Sequence, residues 1–255
     1  MKDMTALITG AGSGIGFGIA QSLAKQGVNL IITDINQAAL SEATNTLSND
    51  GASVQGLILD VTNAQDVEQL VQSLANTRID VLINNAGIQH VSRLEDFPME
   101  SWQKIVDVLL TGPARTCQAL LPKMRQQGFG RIINIGSIHG LVASPFKSAY
   151  VSAKHGLIGF SKVIALETSD TDITINTICP AYVKTPLVDK QIAAQAEQHG
   201  ISEAQVIDEI MLAPMPKKAF IDIEEIAATV SFLASPQAKN MTGQALVLDG
   251  GWTVK

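Results

Sequence analysis

Tyr150 and Lys154 stand four positions apart within Ser148–Ala165, a stretch with helical spacing. Their side chains therefore share one helix face, one turn apart. A phenol titrates at about 10 and is a poor base at neutral pH, but a neighbouring ammonium favours the phenolate. That shift would bring Tyr150 toward the range in which general acid–base catalysis works. Upstream, a strand-like run leads to Ser137, whose hydroxyl can bond a substrate oxygen while its charge changes. A lone Tyr-x-x-x-Lys pattern arises easily by chance. Here it is one of only two tyrosines, and it follows both a glycine-rich turn and the serine-ended strand. The chemistry open to Ser137, Tyr150 and Lys154 is proton exchange at an alcohol or a carbonyl.

The glycine-rich turn is Thr9-Gly10-Ala11-Gly12-Ser13-Gly14-Ile15-Gly16, placed between a strand-like run and a helix. Gly10, Gly14 and Gly16 let the chain turn tightly, approach a pyrophosphate and pack helix against strand. The N–H groups around Ser13 and Ile15 at the helix start then face the anion. The second strand ends at Asp34, whose carboxylate can accept both ribose hydroxyls of an adenosine and repels a 2′-phosphate. Neither Ala11 nor Ile35 is basic, so NAD is favoured over NADP; the competing role for Asp34 is a helix cap. The third strand runs out at Asp60-Val61 and the fourth into Asn84-Asn85-Ala86-Gly87. Either could be a plain turn. Their recurrence at successive strand ends points to adenine contacts for Asp60 and Val61 and backbone positioning by Asn85, Ala86 and Gly87.

Elements to hold these residues alternate along the chain. Apolar, β-branched runs occur at 6–9, 29–33, 54–59, 81–84, 131–135, 174–179 and 245–248, with helical spacing at 15–25, 38–47 and 67–74. Such alternation predicts an α/β fold: one doubly wound, Rossmann-type domain over 1–255 with a seven-stranded parallel sheet. Residues 185–220, helix-like but carrying Pro186, Pro214 and Pro216, are expected to form a substrate flap rather than a second domain. Of 255 residues 46% are hydrophobic and 16% charged, and the net charge is −6 with no basic run. A nucleic-acid partner is therefore not expected. No apolar run reaches the roughly 20 residues of a membrane span, and the short stretch Met1–Met4 before the first strand is not expected to be a signal peptide. Cys117 and Cys179 have no metal-ligand spacing. A cytoplasmic protein with free thiols and no metal is expected.

Taken together, these residues resemble the short-chain dehydrogenase/reductase family over essentially the whole chain. The resemblance rests on Thr-Gly-x-x-x-Gly-Ile-Gly at 9–16, Asn-Asn-Ala-Gly at 84–87, Ser137, Tyr-x-x-x-Lys at 150–154 and the stretch Pro180–Pro186. It implies that Pro180, Val183 and Thr185 lie beside the nicotinamide and that Lys154 contacts its ribose. Two positions depart from the family pattern. Ala181 stands where a glycine is usual, and Leu109 where a fourth catalytic residue, an asparagine, is usual. Leucine cannot hold a proton-relay water through its side chain. Pro113, four residues on, lacks an N–H, so the Leu109 carbonyl has no helical donor and is expected to hold that water instead.

A closer similarity, to bacterial D-3-hydroxybutyrate dehydrogenases, is carried by Ile88-Gln89-His90, Ile138–Ser144, Lys147–Tyr150, Gln191 and Asp249-Gly250-Gly251-Trp252. It implies that Gln89, His139, Lys147 and Gln191 grip a substrate carboxylate, with Tyr182 and Trp252 closing the pocket. Related enzymes often carry Trp where Tyr182 stands. A small hydroxy acid has little apolar area, so charge-assisted hydrogen bonds must orient it. Each residue alone has a plainer role: Lys147 as a surface lysine, His139 as a turn residue, Gln191 as a surface residue on the flap. The implied reaction is reversible oxidation of (R)-3-hydroxybutyrate by NAD to acetoacetate, in a homotetramer. The alternatives are another short-chain reductase, such as one for 3-oxoacyl carriers, and a non-catalytic NAD-binding regulator, which only Leu109 favours.

Overall fold

The computed structural model describes residues 1–254, apart from the side chains of Leu187 and Gln198. Seven strands form the sheet: β1 (Thr5–Thr9), β2 (Asn29–Asp34), β3 (Val54–Ile58), β4 (Val81–Asn84), β5 (Phe129–Ile135), β6 (Asp172–Pro180) and β7 (Ala245–Leu248). Their order is β3-β2-β1-β4-β5-β6-β7, and every pairing is parallel. β1 is buried at all five positions. This is the reason a central parallel strand reads as an unbroken apolar run. The order reverses direction between β1 and β4, where ligands of open α/β sheets bind beyond the strand carboxyl ends. Strand boundaries shift by one or two residues from the sequence expectation. β3 stops at Ile58, and β5 at Ile135 rather than at Ser137.

Helices cover both faces. One core packs α1 (Gly14–Ala24), α2 (Gln37–Asn49) and α9 (Ile223–Ala234) on Ile8, Ile32 and Ile133. The other packs α3 (Ala64–Ser73), α4 (Met99–Val106), α5 (Gly112–Gln127) and α6 (Ser148–Glu167) on Leu7, Leu82 and Ile132. The helix starts are capped as their sequences suggest. Asn36 accepts from Ala39 N–H, Asn63 from Gln65 N–H, and Asp222 and Glu225 form a reciprocal box. The excursion after β6 is helical: α7 (Pro186–His199), a short α8 (Glu203–Gln205) and a π turn to Met211. Among the described residues no helix is long and apolar enough to cross a membrane. Cys117 and Cys179 are free and buried.

A line of polar side chains runs beneath α5 and α6. Thr116 donates to Asn84 Oδ1 (2.7 Å), Asn84 to Asn134 Oδ1 (2.8 Å) and Asn134 to Ser161 Oγ (2.9 Å). Ser161 Oγ also lies 2.9 Å from Thr177 Oγ1. All five residues are buried. A satisfied network in a low-dielectric core allows few alternative alignments, so it registers α6, and with it Tyr150 and Lys154, against β4, β5 and β6.

Candidate active site

An open cavity of about 700 Å³ lies along the carboxyl ends of the strands. At one end the glycine turn is built for close approach. Gly10 and Gly14 have φ of +62° and +59°, and a Cβ on Gly10 would stand 2.7 Å from Ala86 Cα. Asn85 Nδ2 donates to the Thr9 and Gly10 carbonyls (2.9 and 2.8 Å), and Thr9 Oγ1 accepts from the Asn85 and Ala86 N–H groups. The loops after β1 and β4 are thereby one unit. Gly16 lies behind the wall, packed where any Cβ would meet Asn85 Nδ2 at 2.4 Å. Its role is packing. Gly10, Ser13, Gly14, Ile15, Asn85, Ala86 and Gly87 line the cavity.

Asp34 also faces the cavity, its orientation set by backbone. Oδ2 accepts from Gly12 N–H at 3.0 Å and Oδ1 from Asn36 N–H at 2.9 Å. It does not cap α2; Asn36 does. Ile35 beside it is apolar and 66% exposed. Asp60 and Val61 line the wall, with Asp60 Oδ1 turned onto Thr62 N–H and Oγ1 (2.8 and 2.7 Å). Pro180, Val183 and Thr185 form the facing wall. Thr185 caps α7 and lies against Gly14. An Asp at the second strand end, tight glycines and a helix start suit a nicotinamide dinucleotide.

At the middle of the cavity, Ser137 is within hydrogen-bonding reach of the Tyr150 hydroxyl. Its own Oγ accepts from His139 N–H at 3.1 Å, which fixes its direction. Lys154 Nζ donates to the Ile135 carbonyl at 2.7 Å and lies 5.7 Å from the Tyr150 ring centroid. Burial pulls the Lys154 ammonium down to about 8. The Tyr150 phenol departs from the sequence expectation: it is pushed up, chiefly by burial, with the Ser137 hydrogen bond opposing. Proximity to an ammonium does not outweigh desolvation here. Neutral phenol is the resting form.

The far end gathers His139, Lys147, Tyr182 and Trp252. Lys147 Nζ lies 3.3 Å from His139 Nε2 and donates to Tyr182 Oη at 3.2 Å. An ammonium can only donate, so Nε2 is the acceptor and the ring proton belongs on Nδ1. Burial first, then Lys147 and His155, lower His139 to about 4, in keeping with a neutral ring. Burial lowers Lys147 to about 8. Trp252 does not line the cavity; it stacks on Tyr182 (6.0 Å, 28°) and meets His139 edge-on at 5.6 Å. Asp249 holds that tail by accepting from Gly251 N–H, Thr253 N–H and Thr253 Oγ1. Gln89 and Gln191 line the cavity, and the Gln89 amide oxygen accepts from His90 N–H. Ser144, whose Oγ is 3.3 Å from His139 Nε2, and Asp249 had no assigned role in the sequence. Both stand inside quoted motifs, Ile138–Ser144 and Asp249–Trp252, the only signal that could have marked them.

Leu109 is buried and on the wall, packed toward Gly87. It sits in a π-helical turn, Asp107–Thr111, where Gly112 N–H donates five residues back to the Asp107 carbonyl. Such turns recur at functional sites, and Pro113 leaves the Leu109 carbonyl without an α-helical donor.

A family model described as enoyl-(acyl carrier protein) reductase matches residues 10–253. The chain is 45% identical to D-beta-hydroxybutyrate dehydrogenase of Rhizobium meliloti, over 98% of this chain and 99% of that protein. It is 44% identical to the enzyme of the same name from Cupriavidus necator, over the full length of both. Among solved structures, a variant of actinorhodin polyketide ketoreductase with NADPH superposes with a TM-score of 0.94 at 32% identity, covering 99% of each chain. Substituting Pro113→Ala supplies the missing donor to Leu109. Turnover is expected to fall roughly tenfold, read from steady-state rates across pH; an unchanged rate and pH profile refutes a relay role for that carbonyl.

Proposed function

This chain belongs to the short-chain dehydrogenase/reductase family, and on that premise we propose that it interconverts (R)-3-hydroxybutyrate and acetoacetate with NAD. The observation that carries the reading is the set of donors at the far end of the cavity. Lys147, buried and bonded only to neutral partners, stands with Tyr182 and His139 where a short acid would place its carboxylate. NAD is favoured because Asp34 is held facing the cavity by two backbone N–H groups, and neither Ala11 nor Ile35 is basic and able to receive a 2′-phosphate.

A bound nicotinamide supplies hydride acceptance and donation at its ring. The chain's residues do the rest. Gly10, Ser13, Gly14, Ile15, Asp34, Asp60 and Val61 hold the adenosine and pyrophosphate. Asn85, Ala86, Gly87, Pro180, Val183 and Thr185 flank the nicotinamide half. Lys147, His139, Gln89 and Gln191 orient the carboxylate, and Tyr182 backed by Trp252 closes that end. In ketone reduction Tyr150 Oη gives its proton to the forming alkoxide, which Ser137 steadies. In oxidation Tyr150, once deprotonated, takes the hydroxyl proton. The helices after Thr185 act as a flap that shuts water out.

Two exposed apolar faces support a homotetramer: Val163 and Leu166 on α6, and Phe232 on α9 with Val247 on the edge strand β7.

The defining experiment is an absorbance assay with NAD and NADP against both 3-hydroxybutyrate enantiomers, lactate and neutral alcohols. Preference for the (R) acid with NAD is expected; equal rates with neutral alcohols or with NADP contradict the reading. Removing the clamp with Lys147→Ala should lower kcat/KM for the acid about a hundredfold, and near-normal acetoacetate kinetics would take Lys147 out of the site. In the free enzyme Lys147 is charged below about 8, so KM for the acid should climb as pH passes that value. Lys154 titrates in the same range. Lys147→Arg, charged at every accessible pH, therefore separates the two by abolishing the climb. Sedimentation equilibrium should return four chain masses; a monomer at micromolar concentration rules the tetramer out.

A further inference from the structure

Phe146 has φ of 67°, in the left-handed region. There Gly and Asn are ordinary, and a bulky side chain is an outlier. Core packing does not compensate, since the ring is 49% exposed. Two contacts hold the residue, both from the segment between β4 and α4. Ser92 N–H donates to the Phe146 carbonyl at 2.9 Å. The Arg93 guanidinium lies 5.6 Å from the Phe146 ring centroid. Phe146 immediately precedes Lys147, and Ser92 and Arg93 follow Gln89 closely in the chain. The two contacts thus join the loop that carries Gln89 to the one that carries Lys147, and both residues line the cavity.

We infer that Phe146 and Arg93 are positioning residues for carboxylate recognition. Resting on the proposal that Lys147 receives the substrate carboxylate, the inference gives the left-handed turn a purpose. It sets the direction in which Lys147 leaves the chain, and the Arg93–Phe146 contact keeps the Gln89 loop at a fixed distance from it. Strain at a residue persists where surrounding contacts over-determine it, and such residues cluster at sites that need pre-organisation. Arg93 also lies 3.7 Å from Glu95. That pair is exposed and belongs to one loop, so it cannot bridge to the other. Relaxation of Phe146 into an extended conformation would swing the base of Lys147, whose long stem would then reach His139 and Tyr182 in fewer of its rotamers.

The test is steady-state kinetics of Arg93→Ala, Phe146→Leu and Phe146→Tyr. The first two each lose the cation–π contact and should raise KM for 3-hydroxybutyrate about three- to tenfold. The kcat and the KM for NAD should stay within about twofold. Phe146→Tyr keeps the ring face and should return KM to the wild-type value. The double variant Arg93→Ala/Phe146→Leu should be no worse than the poorer single one. Unchanged KM in both single variants overturns the inference, and so does a parallel fall in kcat, NAD affinity and Tm, which would mark a fold-supporting contact only. Calorimetric titration with butyrate, a carboxylate without the reacting hydroxyl, in the presence of NADH, reads the clamp without turnover. Failure of the wild type to bind butyrate fells the proposed function. Equal butyrate affinity in the wild type and both single variants overturns the positioning role alone.

Discussion

The Lys154 ammonium, buried and donating to the Ile135 carbonyl, ties the helix that carries Tyr150 to the last residue of a central strand. A charge removed from water needs a fixed partner, and the strand end supplies one that cannot move without disturbing β4 and β6 on either side. Farther along the same helix, Ser161 meets Asn134 and Thr177. With two polar ties α6 can neither slide nor roll on the sheet. Ser137, the cap of the short turn after β5, is fixed from the strand side. The proton-handling group and its partner hydroxyl thus inherit their separation from the sheet register.

The cofactor end shows the same economy of movable parts. Its polar atoms are mostly backbone, or side chains already bonded to backbone: Asp34 on Gly12 and Asn36, Asn85 on Thr9 and Gly10. A site organised before its ligand arrives loses less ordering entropy on binding. The acid end is different in kind, since it is assembled from long side chains contributed by well-separated segments, Lys147 from the start of α6 and Tyr182 from the turn after β6.

That difference explains what could be read from the sequence. Seven short apolar runs, the glycine turn and the Tyr150–Lys154 face are local patterns, and they stood in the structure within a residue or two. The direction of the Tyr150 shift was not legible, because desolvation depends on what the fold packs around a group rather than on its neighbour four positions away. Lys147 and His139 lie close in sequence, but Tyr182 comes from beyond β6, and only similarity to known enzymes brought it to the same pocket. The π turn at Asp107–Thr111 had a local trace in Pro113, which revealed a missing donor but not the wider hydrogen-bond ring that accommodates it. Phe146 gave no signal at all, since nothing in a side chain's identity announces an unfavourable backbone angle.

Lys147 has a further consequence. Among the described residues no carboxylate pairs with it; its partners are an imidazole and a phenol, both neutral. The resting pocket therefore keeps an uncommitted positive charge, and an arriving anion displaces no internal rival. If that charge receives a substrate carboxylate, any small carboxylate in the surrounding buffer would compete for the same ammonium, and buffer composition would become part of the apparent affinity.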